Sequence, residues 1–383
     1  MPVISSRPFS APFSAWSLAL TLALLGATAV PSLAQDESFT RNSSVLGQSY
    51  GLPGQMDVIE DGQTDLVVET GVFFKNLELI GFEELDGRTF FGAIAPIRLR
   101  HALSDSVSVE LGAVAGHDFG DDDALSDVDP LVRIVAKVGD DAAFIAGTLV
   151  SSHWAHQALF DDTNAFRDLT EQGLQVRVDR PRFKHDSWVN WRIEEGAIEA
   201  EEFEIGTTTR LGFLDDALRL DAQVLYTHAG GQISTSRRVD NDFAVLGGLS
   251  YGVAEPGGWA RISDLRVGVN GLVNSRDRKG EEATSGSGFE LYAQSDVDFS
   301  DRLFARFGVG HFEGDDFIAP RGDALYSFPS YTWGRGSWVW ALTDDVAAEI
   351  GGTLQHADGQ TNYTANINFT VNTAFLIDGI SRR

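Results

Sequence analysis

The side chains best suited to chemistry are two histidines three residues apart. His153 and His156 stand in the segment "SSHWAHQ", and one helical turn would bring both rings to the same side, where they could bind a metal ion. The same pair beside Trp154 equally fits a patch at a polar–apolar boundary, which we prefer. We therefore predict no metal site and no cofactor.

Other sequence signatures of catalysis are missing. The chain contains no GxSxG, HExxH or phosphate-loop pattern, and its cysteine count of 0 excludes disulfides and thiolate metal sites. The formal net charge of −27 argues against nucleic acid, because the phosphate backbone would be repelled. From these observations we predict that the protein is not an enzyme.

The elements that carry the polar residues are strands. In "SVSVELGAVAG" the positions from Val107 to Ala115 alternate between apolar and polar or small side chains, a period of two that indicates a β-strand. About sixteen such segments begin near residues 64, 88, 105, 130, 142, 172, 185, 203, 217, 241, 258, 288, 302, 330, 345 and 361. The sequence therefore predicts an all-β protein.

One acidic turn motif recurs between the segments, as "LSDSVSVEL", "VGDDAAFIA", "LDDALRL", "FSDRLFARF" and "LTDDVAAEI". Its aspartate suits a tight turn, because the side chain can accept hydrogen bonds from nearby backbone amides. These short connections alternate with longer ones along the chain. Alternating loop lengths are typical of antiparallel strands whose loops lie on opposite sides of a membrane.

The predicted fold is a transmembrane antiparallel up-and-down β-barrel. A sheet in hydrocarbon must close, because unpaired backbone groups are costly there. We expect about sixteen strands, with 14–18 compatible, joined by short periplasmic turns and longer extracellular loops. A secreted soluble β-sandwich or propeller is the alternative, since one buried face also produces alternation.

The N-terminus predicts export. The run "AWSLALTLALLGATAV" followed by "PSLAQ" is typical of a signal peptide cleaved after Ala34. Residues 1–34 are therefore the signal peptide, 35–63 a periplasmic segment or small plug, and 64–383 the barrel. The predicted location is the outer membrane.

By this pattern the chain resembles Gram-negative outer-membrane barrels of the general porin kind over nearly all of residues 64–375. The segments "GTLVSSHWAHQALFDD", "GLQVRV" and "DSWVNWRIEE" are also similar to those of uncharacterised outer-membrane barrels. Barrels of this kind usually end on an aromatic residue, whereas this chain ends "AFLIDGISRR", so Phe375 is the candidate for that position.

The resemblance implies a channel for passive diffusion of small polar solutes or ions. Opposed charged rows would line an aqueous lumen and order its water, although the same charges could simply pair across strands. The predicted pore-lining residues are Arg98, Arg100, Arg133, Arg177, Arg192, Arg210, Arg219, Glu110, Asp179, Asp221 and Glu290. In porins the third outer loop often narrows the channel, which makes Asp161, Asp162, Asp168 and Glu171 candidates for a constriction.

Two other functions stay open at this point. A plugged barrel could act in surface binding or assembly, and a hydrolase could assemble Ser, His and Asp from distant strands of the wall. The expected partners are outer-membrane lipid and small polar solutes, with no nucleic acid. The chain could be a trimer or a monomer.

Overall fold

The fold is a single closed ring of antiparallel strands. The computed structural model describes residues 61–79, 87–122, 127–151, 153–164, 168, 170–231, 233, 239–253, 261–343 and 345–377. The predicted signal peptide and nearly all of the 35–63 segment lie outside these residues, so both remain predictions.

Within the described residues, each strand pairs with its neighbours in sequence, and the last strand pairs with the first. The strands are β1 Thr64–Glu78, β2 Arg88–Ser104, β3 Val107–Asp118, β4 Asp127–Lys137, β5 Ala142–Thr148, β6 Gln172–Arg180, β7 Phe183–Ile193, β8 Glu201–Phe213, β9 Leu218–Gly230, β10 Asp240–Val253, β11 Arg261–Arg278, β12 Thr284–Ser300, β13 Leu303–Asp315, β14 Ser330–Ala341, β15 Val346–Ala357 and β16 Gln360–Leu376. The closing pair of β1 and β16 runs from Asp65 opposite Leu376 to Glu78 opposite Tyr363. Closure gives each described strand a partner strand on both sides.

The outer face of the ring is apolar. Along β11 the alternate residues Leu265, Val267, Val269 and Val273 are each at least 39% exposed, whereas Arg266 and Asn270 between them face the lumen and are buried. A continuous exposed apolar band would be an aggregation site in water, but it matches the hydrocarbon of a membrane. The predicted transmembrane barrel, with sixteen strands and starts within four residues of those expected, is confirmed.

The tight turns differ from expectation in one detail. The aspartate was expected to accept hydrogen bonds from backbone amides. In three turns the hydroxyl of the serine or threonine before the aspartate accepts such a bond instead. Ser104 accepts from the Val107 amide at 3.1 Å, Ser300 from the Arg302 amide at 3.3 Å and Thr343 from the Asp345 amide at 3.2 Å. In the β8–β9 turn the backbone instead takes left-handed conformations from Leu214 to Asp216. In these three of the five copies the motif is therefore a Ser/Thr turn.

Helical structure is minimal in the described part of the chain. A 3₁₀ turn, Ala324–Ser327, is capped by Asp323, whose side chain accepts from the Leu325 amide. No described helix has the length and apolarity needed to cross a membrane. Strand β16 carries Phe375 on the outer face, 55% exposed.

Candidate functional site on the lipid-facing wall

The predicted pore-lining arginines lie on the lumen side, where they pair with acids on neighbouring strands. Arg98 contacts Glu69 at 2.7 Å and Glu110 at 2.8 Å, and all three side chains are buried. Arg133 contacts Glu110 at 3.3 Å, and Arg100 contacts Asp65 at 2.8 Å. Opposite charges thus alternate around the wall from β1 to β4, so that each buried charge has a partner.

The other predicted lining residues are spread around the wall. Arg177 lies over the Trp154 ring at 4.3 Å, and Arg192 lies at the outer rim between Asp168 and Glu202. Near the periplasmic end the pairs are Asp179 with Lys184, Arg210 with Asp221, and Arg219 with Asp216. A role for these residues in conduction remains a prediction.

Two outer loops fold into the lumen. The third outer loop (residues 149–171) buries Leu149 and Leu159, and the seventh (residues 316–329) buries Phe317 and Tyr326, each at most 3% exposed. These side chains pack with wall residues such as Trp188 in one apolar cluster. The sequence predicted an aqueous lumen, but the described residues of these loops, called the plug below, fill part of it.

Backbone hydrogen bonds join the two loops into one body. The Asp161 amide donates to the Arg321 carbonyl at 2.6 Å, and the Asp323 amide donates to the Gln157 carbonyl at 2.9 Å. Between the plug and the wall lies a cavity of about 10 Å³, lined by Arg98, Arg133 and Glu171 among others. That volume holds about one water molecule.

A buried glutamate anchors the plug to the wall. Glu290 of β12 is fully buried and accepts from the Tyr326 hydroxyl at 2.7 Å, the Trp333 ring nitrogen at 2.8 Å and the Asn270 amide at 2.8 Å. Nε2 of His156 lies 2.9 Å from the same carboxylate. Because four groups contact this carboxylate, its burial does not destabilise the packing of the plug against the wall.

The predicted constriction aspartates belong to this plug. Asp162 pairs with Lys75 of β1, and burial together with the nearby carboxylates of Asp162 and Asp323 raises the pKa of Asp161 to about 7. Burial and the Asp162 charge likewise raise the pKa of Asp323 to about 6. Three carboxylates therefore share one lysine, which favours the protonated form of two of them.

The histidine pair does not converge. His153 contacts Glu171 at 2.6 Å and Asp186 at 3.1 Å, whereas His156 is directed to Glu290. Burial alone would lower the pKa of His153, but the two carboxylates outweigh it and raise that pKa to about 9. This raised pKa favours the cationic ring, in which both nitrogens donate to the carboxylates. Among the described residues, no three His, Asp or Glu side chains are arranged to hold a metal ion.

A second polar cluster lies on the opposite side of the wall, facing lipid. Nε2 of His185 is 2.8 Å from the Ser187 hydroxyl, and Nδ1 of the same ring is 2.8 Å from the Thr209 hydroxyl. The Ser187 hydroxyl donates to that of Thr207 at 3.0 Å. We call these four residues the wall cluster.

Strand geometry explains the cluster. His185 and Ser187 are two residues apart on β7, so they share a face, and the register sets them opposite Thr209 and Thr207 of β8. The same outward row of β7 continues to Trp191, which is 49% exposed. The cluster therefore projects from the exterior of the barrel, not into its lumen.

The surroundings of the wall cluster are apolar. Val176 and Val178 of β6 lie opposite Ser187 and His185, and Val224 and Ala222 of β9 lie opposite Thr207 and Thr209. In such a setting hydroxyls and imidazole bond to one another, because lipid offers no partner. The wall cluster is therefore a polar patch on the apolar outer face.

The wall cluster has the arrangement of an activated serine. The Thr209 hydroxyl can accept from Nδ1–H, which leaves Nε2 free to accept the Ser187 proton. All eight histidines fall within the described residues, and among them His185 is the one with a ring nitrogen bonded to a serine hydroxyl. Sequence analysis missed this pair. The available signal was four polar residues in the lipid-facing rows of two adjacent strands.

The fold and its apolar exterior define an outer-membrane β-barrel. Among solved structures, the chain is similar to a loop-L8 deletion mutant of OmpT, an outer-membrane protein of Vibrio cholerae, with 10% identity, a TM-score of 0.53, and coverage of 82% of this chain and 100% of that one. Outer-membrane-expressed OmpT of the same organism gives 9% identity, a TM-score of 0.51 and coverage of 82% and 99%. The trimer form of in-vitro folded OmpT from the same organism gives 9% identity, a TM-score of 0.50, and coverage of 81% of this chain and 99% of that one. At these identities the likeness establishes the fold.

The family is given by sequence. The profile of the family described as "Lipid A 3'-O-deacylase-type" matches residues 56–377, and the chain belongs to this family. A search of the curated proteins finds none that matches the chain. The expectation that the protein is not an enzyme is therefore wrong, because its family is described by an enzymatic activity.

Proposed function

We propose that this protein is a hydrolase of lipid acyl esters in the outer membrane, with Ser187 as nucleophile and His185 as general base. The observation that carries the proposal is the 2.8 Å contact between the Ser187 hydroxyl and Nε2 of His185 on the lipid-facing wall. A serine–imidazole pair is the arrangement that serine hydrolases use. Its outward position makes membrane lipid the available substrate.

The proposed reaction proceeds in two halves. Ser187 Oγ attacks the ester carbonyl carbon while its proton passes to Nε2 of His185, and the tetrahedral intermediate then releases the lipid alcohol, which takes that proton. Water then attacks the acyl-serine while His185 takes its proton, and His185 returns that proton to the departing Ser187 Oγ as the fatty acid is released. Thr209 holds the ring through Nδ1. The Thr207 hydroxyl accepts from Ser187 at 3.0 Å in the resting site, and after Ser187 has lost its proton the Thr207 hydroxyl could donate to the developing oxyanion.

The family description favours one substrate. Its words name 3'-O-deacylation of lipid A, so we propose the 3'-linked acyl chain of lipid A as the group removed. Both nitrogens of the plug histidine His153 are bonded to carboxylates, and the second plug histidine, His156, contacts Glu290 and the Ala158 amide with no serine hydroxyl among its described contacts. The wall cluster is therefore the proposed site.

Mass spectrometry tests the proposal. Folded protein in mixed micelles with lipid A should release one fatty acid per lipid, and Ser187→Ala should lower kcat by about 10³-fold or more. Ser295→Ala is the matched control, because Ser295 lies opposite the exposed Phe307 on the outer face without a histidine partner among its described contacts. Full activity in a correctly folded Ser187→Ala variant would exclude this site.

Passive diffusion is the second candidate function. The charged wall from β1 to β4 favours it, because these paired charges, now buried, would line a polar passage for small solutes. The plug opposes it, so conduction would require the plug to move. This proposal retains the predicted lining residues in their expected role.

A further inference from the structure

Arg177 of β6 is a buried lumen arginine without a hydrogen-bond partner among the described residues. It is 6% exposed, and its Nη2 atom is fully buried and unpaired. Oδ2 of Asp186 lies 3.9 Å from its Nε, which is beyond hydrogen-bond distance. A guanidinium carries five N–H donors, and burying them without acceptors costs free energy. A buried group of this kind indicates a missing acceptor.

Asp186 does not supply that acceptor, because its oxygens have other partners. Its carboxylate accepts from Nε2 of Gln175 at 2.9 Å and 3.0 Å, and its Oδ2 lies 3.1 Å from Nδ1 of His153. The raised pKa of His153 keeps that ring cationic. Arg177 therefore adds positive charge to this group, while its N–H donors remain unused.

Trp154 of the third outer loop holds the Arg177 guanidinium in place. The guanidinium carbon lies 4.3 Å from the centre of the Trp154 ring, within the range of a cation–π contact. Trp154 has a φ of 52°, a left-handed conformation that a bulky side chain rarely adopts. Conformations of this kind persist where surrounding contacts impose them, and they cluster at ligand sites. A guanidinium held over a ring face presents the N–H groups at its rim to a ligand.

A second cation lies beside the first. Nζ of Lys184 on β7 is 5.4 Å from the centre of the same Trp154 ring, and the strand register sets Lys184 directly opposite Arg210 of β8. Like charges at opposite positions destabilise a strand pair. Lys184 pairs with Asp179 at 2.9 Å, which leaves further donors of its ammonium group available. An anion here would meet donors from two strands and would weaken the repulsion between Lys184 and Arg210.

These groups lie near the periplasmic end of the lumen. Arg177 is three residues from the end of β6 at Arg180, and Lys184 is the second residue of β7. Both therefore lie within about 8 Å of the tight turn between these strands. The side chains of Lys184 and Asp179 are 24% and 34% exposed, so water reaches them below the plug. A solute from the periplasm meets these groups while the plug stays closed.

The nearby charges favour a planar anion with a single charge. Asp179 and Asp186 flank the two cations, so a phosphate, which carries more than one negative charge at neutral pH, is repelled more strongly than a monoanion. A carboxylate matches the planar guanidinium of Arg177, because its two oxygens can accept two parallel N–H bonds. The ammonium of Lys184 supplies a further donor.

We propose that Arg177 and Lys184, with Trp154 against the guanidinium, form a binding site for a small carboxylate that enters from the periplasm. The carboxylate would supply the acceptor that Arg177 lacks. The site lies on the lumen face and depends neither on the wall cluster nor on hydrolysis. It gives the periplasmic half of the lumen a ligand of its own, whether or not solutes pass the plug.

Ligand-observed NMR tests this site. Folded protein in uncharged detergent micelles at low ionic strength is mixed with acetate, and broadening of the acetate methyl signal reports binding. Acetamide, which has the same shape without the charge, is the ligand control. Arg177→Gln removes the guanidinium. Arg306→Gln is the matched protein control, because Arg306 is also a lumen arginine but donates to Asp296 through Nε at 2.8 Å and Nη2 at 3.2 Å.

We expect the intact protein to broaden the signal of acetate but not that of acetamide. Arg177→Gln should reduce the broadening by about fivefold or more, because at least one charge-assisted hydrogen bond is lost, and Arg306→Gln should leave it unchanged. Lys184→Gln, at a more exposed position, should also reduce the broadening, and it provides the measurement if Arg177→Gln does not fold.

Three results would contradict the proposal. Absence of acetate broadening in the intact protein, or equal broadening in the intact protein and the folded Arg177→Gln or Lys184→Gln variant, would overturn the site. An equal loss in Arg306→Gln would show that the general charge of the lumen attracts acetate, and would also overturn it. Phosphate that displaces acetate as well as formate does would overturn the preference for a carboxylate.

Discussion

At the scale of single residues, the wall cluster depends on a hydroxyl where most serine hydrolases use a carboxylate. Thr209 of β8 holds the His185 ring in place. The acid next to His185 on β7, Asp186, cannot take this role, because it faces the lumen and accepts from the Gln175 side chain at 2.9 Å. A hydroxyl can set the tautomer of the ring, but it stabilises the imidazolium less than a carboxylate does.

Thr209→Val tests this positioning role. Because the isosteric side chain removes the partner of Nδ1, we expect kcat to fall by about 10- to 100-fold with KM nearly unchanged, and the pH–rate profile to shift as the imidazole loses its hydrogen bond. Thr70→Val, on the outward row of β1, is the matched control. A rate loss with an unchanged pH profile would indicate a structural effect and contradict the positioning role.

Glu290 is the residue on which the plug depends most. Glu290→Gln replaces one acceptor oxygen with an NH₂ group, so donors from the plug and the wall would meet another donor. We expect the plug to loosen by about 2–3 kcal/mol. A spin label at Ser327→Cys, an exposed position in the seventh outer loop, would report this as a larger mobile fraction. An unchanged spectrum would show that the other contacts suffice.

At the scale of elements, the strands were predictable because apolar and polar residues alternate with a period of two in all sixteen segments. The apolar row from Val107 to Ala115 becomes the outer face of β3 as expected. The inward course of the seventh outer loop was not predictable, since Phe317 and Tyr326 stand in a segment without periodicity. The wall cluster was missed because polar residues in an apolar row weaken the very pattern used to find a strand.

The stability of the closed plug should depend on pH. Asp161 and Asp323 have pKa values raised to about 7 and about 6 from 3.8, so their contribution to closure is complete below pH 4 and is lost as the pH rises to 7. His153 has its pKa raised from 6.5 to about 9, so its contribution is present below pH 6.5 and is lost as the pH rises through 9. Both effects have the same sign.

We therefore expect the mobile fraction of the label at position 327 to rise between pH 5 and pH 9, by at most about tenfold per pH unit for each proton released. Asp161→Asn removes one of these titrations. It should reduce the slope of the curve between pH 5 and 7 to the share that Asp323 contributes, while leaving the part above pH 7, which His153 governs. A curve that falls with increasing pH would contradict this account of the plug.

At the scale of the whole molecule, the two faces of the barrel wall carry different groups of polar side chains. The lumen face holds paired charges such as Arg98 with Glu69, and the lipid face holds the wall cluster. A period-two strand presents these faces independently, because successive side chains point to opposite sides. A trimer remains a proposal here, compatible with an apolar exterior that could bury part of its surface against a second copy.

The separation of the two faces predicts that conduction and hydrolysis can be changed independently. Replacing residues 317–328 with a short Gly-Ser linker removes the apolar half of the plug but leaves β7 and β8 intact. In planar bilayers we expect the intact protein to conduct weakly and the variant several-fold more, since sixteen strands enclose a lumen wide enough for water. Lipid A hydrolysis should stay within about twofold of the intact protein.

Each departure from that pair of results has a distinct meaning. Equal conductance in both proteins would show that the described loops do not close the passage, and the channel proposal would then not need a moving plug. Loss of hydrolysis together with gain of conductance would place the reaction behind the plug, on the lumen side, and would contradict assignment to Ser187. Because both nitrogens of His153 are bonded to carboxylates, such a result would point to another lumen group, such as His156, as the base.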